Sequence, residues 1–236
     1  MKFLIALLLG ILTGAALFVL AMIYNPFLAD RGISPLAVSD VEVFALKFSA
    51  VPSQAIVFTN NGTSVQKPQP AKVQQLWEAP IRKTQAMATI MRDARGQTAG
   101  IGVKLSSLSE RTRLLQGDAL VDSVWYVYLP NRGSLFVRQS ENYWTFLRDV
   151  GWPAYRNGAN NWKGKWNGDL TAGPGALGTA MVTGGSGEFR GLTMEAVESL
   201  SAEAYSADEG PISASGRLLI ELPDSAVEAE TRSAAE

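Results

Sequence analysis

The sequence predicts a mainly β domain, an antiparallel closed β-barrel of about eight strands, preceded by one N-terminal transmembrane helix. Three observations predict it. Short runs rich in β-branched and aromatic residues recur through 41–222, with turn residues roughly every 10–15 positions. The stretch 178–198 sets Gly184, Gly185 and Gly187 between strand-like runs, and Phe189 follows with Gly191 close behind. Such a segment suits a sharply bent strand whose end is plugged by an aromatic ring. Finally, residues 3–23 carry no charge, a length that at about 1.5 Å per residue reaches across a hydrocarbon core about 30 Å thick. A β-sandwich is the alternative architecture.

Composition narrows the chemistry. The chain has 236 residues, a formal net charge of −1, no histidine and no cysteine. Histidine-based triads, thiol nucleophiles, disulfides and His- or Cys-ligated metals are thereby excluded. Any catalysis must run on Asp, Glu, Tyr, Lys or Arg, and neither a cofactor nor a metal is expected. A near-neutral chain without a basic cluster argues against nucleic acid as a partner. The expected organisation is a membrane anchor at 1–25, a linker at 26–40, one β domain at 41–222 and a disordered tail at 223–236, where Ala, Glu and Ser dominate.

The anchor is preferred to a cleaved signal peptide, because the apolar run is long and Ala21 to Pro26 offers no small-x-small site. Lys2 points to an N-inside orientation, with one span in a bacterial inner membrane and the bulk of the chain in the periplasm. Gly10 and Gly14 form a G-x-x-x-G that could pair two helices, so a homo-oligomer is possible; small residues are also simply common in spans. Tyr24 and Phe27 suit a membrane interface, and Pro26 ends the helix.

Within the domain, 41–48 and 55–59 read as strands, with Asn60-Asn-Gly62 as a turn. Residues 84–93 place Met87, Thr89 and Met91 on one parity. Residues 98–106 carry Gly100 and Gly102 on one face, a mark of strong coiling or of close approach by a neighbour. The run 119–129 is the strongest strand, and Pro130 to Gly133 turns it into 134–139. A short helix is expected over 142–150 with Asn142 as its N-cap and Trp144, Phe146 and Leu147 as apolar contacts. A further strand is expected near 162–170, then 189–205 and 212–222.

Asp122, Tyr126 and Tyr128 share a parity and Arg138 lies on the partner strand. Facing inward, this set would orient the polar end of an apolar ligand; facing outward, it would leave Trp125 and Val127 as core. Glu195, Glu198 and Glu203 offer a carboxylate that burial could tune for acid–base work, or simply a solvated strand face. Glu195 joins Asp122, Tyr126, Tyr128 and Arg138 as the expected ligand set. Trp152, Trp162 and Trp166 either pack a long connection or line a mouth or a membrane surface. The segment of Gly184, Gly185, Gly187, Phe189 and Gly191 is read as a structural turn. It lacks the Gly-Lys-Ser/Thr of a phosphate loop, since Glu188 follows Gly187.

Val182-Thr-Gly-Gly-Ser-Gly-Glu-Phe-Arg-Gly191 and the earlier Gly133-Ser-Leu-Phe-Val137 resemble the allene oxide cyclase/dirigent-like barrels. There a strand runs into Gly-Gly-Thr-Gly, a charged residue and an aromatic; Ser186 stands in place of the threonine. The match covers about 40–60 residues of the C-terminal half. It implies an eight-stranded barrel with an apolar central cavity, a hydrophobic or phenolic small-molecule ligand that is cyclised or steered in coupling, and trimers in several members. Three functions follow as expectations. The first is a membrane-anchored extracytoplasmic barrel binding an apolar small molecule or lipid. The second is an isomerase or cyclase of the allene oxide cyclase type, and the third is a non-catalytic envelope scaffold.

Overall fold

A computed structural model describes residues 2–23, 43–66, 73–171 and 180–221. The linker expected at 26–40, Tyr24, Pro26 and Phe27, the loop at 67–70 and the tail at 223–236 lie outside the described residues. Lys2–Ile23 is a 22-residue helix. Its described large apolar side chains stand exposed, from Phe3 to Leu20. Among the described residues no helix is long and apolar enough to cross a membrane. The expected transmembrane helix is corrected to that extent: the helix forms, but the structure does not make it a span.

The rest is antiparallel β. In chain order the strands are β1 (Val43–Ser49), β2 (Val57–Asn60), β3 (Thr63–Gln66), β4 (Val73–Gln75), β5 (Gln85–Arg92) and β6 (Thr98–Leu108). They continue as β7 (Leu120–Leu129), β8 (Gly133–Asn142), β9 (Asn161–Asp169), β10 (Ala180–Gly187), β11 (Met194–Ser206) and β12 (Gly210–Glu221). Pairing runs β1-β12-β11-β10-β8-β7-β6-β5, and β5 returns to β1 through Lys47 opposite Arg92. Eight strands therefore form a ring. The hairpin β2–β3 with β4 extends the sheet beside β5, and β9 pairs with the C-terminal half of β11.

Local chemistry accounts for the turns. Asn61 (φ 45°) and Gly62 (φ 83°) form the β2–β3 turn, and Asn131 (φ 67°) and Gly133 (φ 122°) the β7–β8 turn, positions where a left-handed backbone favours Asn and Gly. Gly100 and Gly102 do admit close neighbours, since a Cβ on Gly102 would lie 2.2 Å from Met91 and 2.9 Å from Trp125.

The structural turn expected from Gly184, Gly185, Gly187, Phe189 and Gly191 is corrected in part. Gly184, Gly185 and Gly187 belong to strand β10 rather than to a turn. Pairing with β8 resumes after a register shift between Val182 and Gly185, so Gly184 sits in a bulge. Its φ of 129° meets that irregular geometry, and nothing lies within 4 Å of where its Cβ would be. A Cβ on Gly185 would sit 2.0 Å from the Ser134 carbonyl oxygen, so that glycine lets β10 press against β8. The chain reverses only after Gly187, through Glu188 to Gly191, so Phe189 and Gly191 do lie in a turn. Strand β11 accordingly begins at Met194 rather than at 189. Phe189 is buried in the ring's core, as a plug should be.

Inside the ring, alternate residues of its strands meet. Leu46, Phe48, Met91, Trp125, Val127 and Leu135 are among the side chains that fill it, each almost or wholly inaccessible to solvent. A second cluster, with Phe146, Val150, Trp166 and Leu200, lies under the helical connection. That connection runs through Trp144–Phe146, a π-helical turn at Leu147–Gly151 and Trp152–Arg156, longer than the helix expected at 142–150. The expected cap is displaced by one residue: Tyr143 is the N-cap, without a side-chain cap, and Asn142, just before it, accepts from the Trp144 backbone N–H at 2.9 Å. Phe146 packs inward as expected, whereas Leu147 is exposed. Of the three tryptophans expected to act together, Trp166 is buried, Trp162 packs against the second cluster and Trp152 faces solvent beside Tyr155.

Candidate functional site

Two polar features stand out, one inside the ring and one outside. The inner one is built by residues that point inward by strand alternation: Lys104 on β6, Ser123 and Trp125 on β7, Gln139 and Glu141 on β8, and Glu198 on β11. Lys104 Nζ donates to Glu141 Oε2 at 2.9 Å and to Glu198 Oε1 at 2.7 Å. Trp125 Nε1 donates to Glu198 Oε2 at 2.7 Å, and Tyr143 OH donates to Glu141 Oε2 at 2.7 Å. Ser123 Oγ donates to Glu141, and the Gln139 amide donates to both carboxylates. Gln139 Oε1 is buried without a hydrogen-bond partner among the described residues.

A charge buried this deeply is tolerated only when paired and hydrogen-bonded. Two carboxylates share one ammonium, so they do not behave alike. Burial pushes both upward. In Glu141 the Lys104 ammonium and the donors Ser123 and Tyr143 outweigh it, and the net shift is down. In Glu198 burial and the neighbouring Glu141 charge prevail, and the net shift is up. Burial lowers Lys104, but the two carboxylates more than offset it and hold it above its ordinary value. Burial and the Glu141 charge push the Tyr143 phenol well up, so it remains a donor. The cluster thus combines an ammonium with two carboxylates shifted in opposite directions, residue types that acid–base chemistry uses.

The outer feature is an open groove of about 810 Å³ across the outward faces of β6, β7, β8 and β10. Leu105, Val124 and Met181 supply apolar walls, and Arg111, Asp122 and Arg138 the charges. Ser123 and Gln139 also border it, while their side chains turn inward to the buried carboxylates. Asp122 accepts from Ser140 and, at 2.8 Å, from Arg111; the Ser140 hydroxyl first, then Ser109 and Arg111, hold its carboxyl below the usual range. Arg138 makes no ion pair among the described residues.

The ligand set expected from the sequence divides accordingly. Asp122, Tyr126, Tyr128, Arg138 and Glu195 all face outward, so the alternative in which Trp125 and Val127 form the core is the one observed. Of the two facings left open by the sequence, the inward one does not hold: the two parities of β7 cannot both enter the ring, and Trp125, Val127 and Leu129 occupy it. Asp122 and Arg138 come together in the groove; Tyr126 and Tyr128 lie on the same face beyond it, and Glu195 is opposite Met181 on β11. Of the three candidate acid–base carboxylates, Glu198 alone is buried, and Glu195 and Glu203 are exposed. Glu188 is a surface partner of Arg132 at 2.7 Å. Sequence reasoning misses Lys104 and Glu141, although Lys104 shares the parity of Gly100 and Gly102, and Glu141 that of Leu135 and Val137. Among the described residues no group of three or more His, Cys, Asp or Glu could hold a metal ion. No protein-family model matches the chain, and no curated protein matches it.

Proposed function

We propose that the chain is a membrane-attached binding protein that takes an apolar small molecule or lipid on the outer face of its ring. The observation that carries this reading is the apolar outer sheet. Ile90, Ile101, Leu105, Val124, Tyr126 and Phe136 are between 38% and 50% exposed. Cross-strand register sets them side by side, with Ile90 opposite Ile101, Leu105 opposite Val124 and Tyr126 opposite Phe136. A water-facing sheet normally alternates to polar on that side, and a contiguous apolar patch marks a binding surface. The ring itself reads as a filled barrel, its interior taken up by its own side chains, which moves binding from the inside to the outside. Attachment rests on the uncharged residues 3–23 and their exposed side chains. It would place the ring in the periplasm beside a bacterial inner membrane.

Native mass spectrometry of the full chain after gentle extraction tests the reading. A bound small molecule should be retained and should be lost from Ile101→Glu and Tyr126→Glu. Retention of the same mass by both variants would overturn it.

A second reading has its own observation. The Lys104–Glu141–Glu198 cluster and the resemblance to allene oxide cyclase-like proteins both favour an isomerase or cyclase, with Glu198 and Lys104 moving the proton. Glu198→Gln should then abolish turnover of a candidate substrate; unchanged turnover would remove this reading.

A further inference from the structure

We propose that the outer groove is a binding site for a single-chain anionic amphiphile, with Arg138 receiving the anionic head and Leu105, Val124 and Met181 lining the path of the chain. The inference rests on the outer-face reading and assigns it a site and a ligand class. The groove's volume of about 810 Å³ suits a small molecule. Its charges decide the sign. Asp122 is already held by Arg111 at 2.8 Å and by Ser140, whereas Arg138 stands without a described ion pair on the same wall. The groove therefore offers one net cation. Glu195 is the other carboxylate in the neighbourhood: it pairs with Met181, which in turn pairs with Arg138. No ion pair joins it to Arg138 among the described residues, and it does not line the groove.

The apolar walls form one row across the sheet. Leu105 is opposite Val124, Val124 opposite Arg138 and Arg138 opposite Met181. Side chains on one face of neighbouring strands stand about 5 Å apart, so the cation is embedded in the row rather than at its rim. Beyond it the apolar surface continues through Tyr126 and Phe136, whose rings lie 5.0 Å apart. A ligand with a short apolar chain and no charge would leave Arg138 without a partner. A long chain with an anionic head satisfies both parts.

The test uses the full chain held in amphipol and a photoactivatable fatty acid, compared with the fatty alcohol of the same length. The acid should label peptides of β6, β7 and β10. Arg138→Gln should cut labelling by the acid about three- to fivefold, the scale of an exposed ion pair, and leave the alcohol unchanged. Equal labelling by acid and alcohol, or labelling of the outer face that ignores Arg138→Gln, would overturn the amphiphile site and leave the outer-face reading standing. Labelling confined to residues 3–23 would overturn both. Arg138 is exposed and makes no described ion pair, so the variant is not expected to unfold the ring.

Discussion

Lys104 Nζ lies 2.7 Å from Glu198 Oε1, a contact that joins β6 to β11 across the interior of the ring. The same ammonium reaches Glu141 on β8, so a single side chain ties three walls together. Its position over the Trp125 ring, 5.4 Å from the centroid, adds a cation–π contact in a desolvated setting.

Removing that cation should be costly. Lys104→Met would leave two buried carboxylates without their counter-charge, and breaking a buried pair in this way costs about 3–5 kcal/mol. Urea denaturation should show a lower midpoint for Lys104→Met and a partial recovery in the double variant Lys104→Met/Glu198→Gln. Equal stability of Lys104→Met and the parent would refute the cross-ring role.

The cluster also sets a pH dependence with opposite arms. Glu141 sits below its ordinary 4.5, so its contribution is full above that value and is lost as pH falls through its folded pKa. Glu198 sits above 4.5, so its contribution is full below the ordinary value and is lost as pH rises through its folded pKa. Lys104, raised above 10.5, contributes fully below that value and loses its share only as pH rises past its folded pKa. Stability measured against pH should therefore decline as pH rises from about 4.5 through the folded pKa of Glu198. Glu198→Gln should flatten that decline; an identical slope in the variant would count against the assignment.

Gly216 faces Phe48 directly across the β1–β12 pair, and a Cβ there would meet the ring at 2.1 Å. Gly216→Ala should destabilise by about 1–3 kcal/mol through overpacking, because Phe48 is itself held edge-on against Trp125 at 4.8 Å. Calorimetry checks this, and an unchanged Tm would show that Phe48 can move aside.

Gly187 is constrained twice. Its φ of 63° favours glycine, and a Cβ would approach the Arg132 carbonyl oxygen at 2.3 Å, where no flexible side chain can yield. Gly187→Ala should cost about 1–3 kcal/mol. It should also loosen the corner at which Glu188 pairs with Arg132 and Arg132 stacks on Phe44 and Phe189. Faster amide exchange at Glu188 and Phe189 is the expected readout; unaltered exchange and stability would rule out the constraint.

Much of the strand content was legible because strands announce themselves locally. The run 120–129 is dense in strand-forming residues, and Asn61–Gly62 and Asn131 mark their turns. Which face of β7 enters the ring was not legible. Tyr126 and Trp125 have similar bulk, and the choice depends on what β6 and β8 present opposite them. Gly102 admits Trp125 from one side, and Glu198 accepts its indole N–H from another. Nor was the part played by Gly184 and Gly185 legible, since a bulged strand and a turn ask for the same residue type and differ only in whether β8 lies alongside.

The sequence by itself determined the β class, the approximate strand boundaries, the plugging role of Phe189 and the exclusion of histidine and cysteine chemistry. The exclusion follows from composition alone, and the rest from residue type and short-range patterning, which pairing with neighbouring strands then refined. The tertiary structure alone decided that β5 meets β1, that β10's glycines serve a bulge and close packing against β8, and that Lys104, Glu141 and Glu198 share one buried site. Lys104 and Glu198 are 94 residues apart in sequence. Their pairing has no local signature, because it exists only once the ring brings β6 and β11 face to face and removes the water between them.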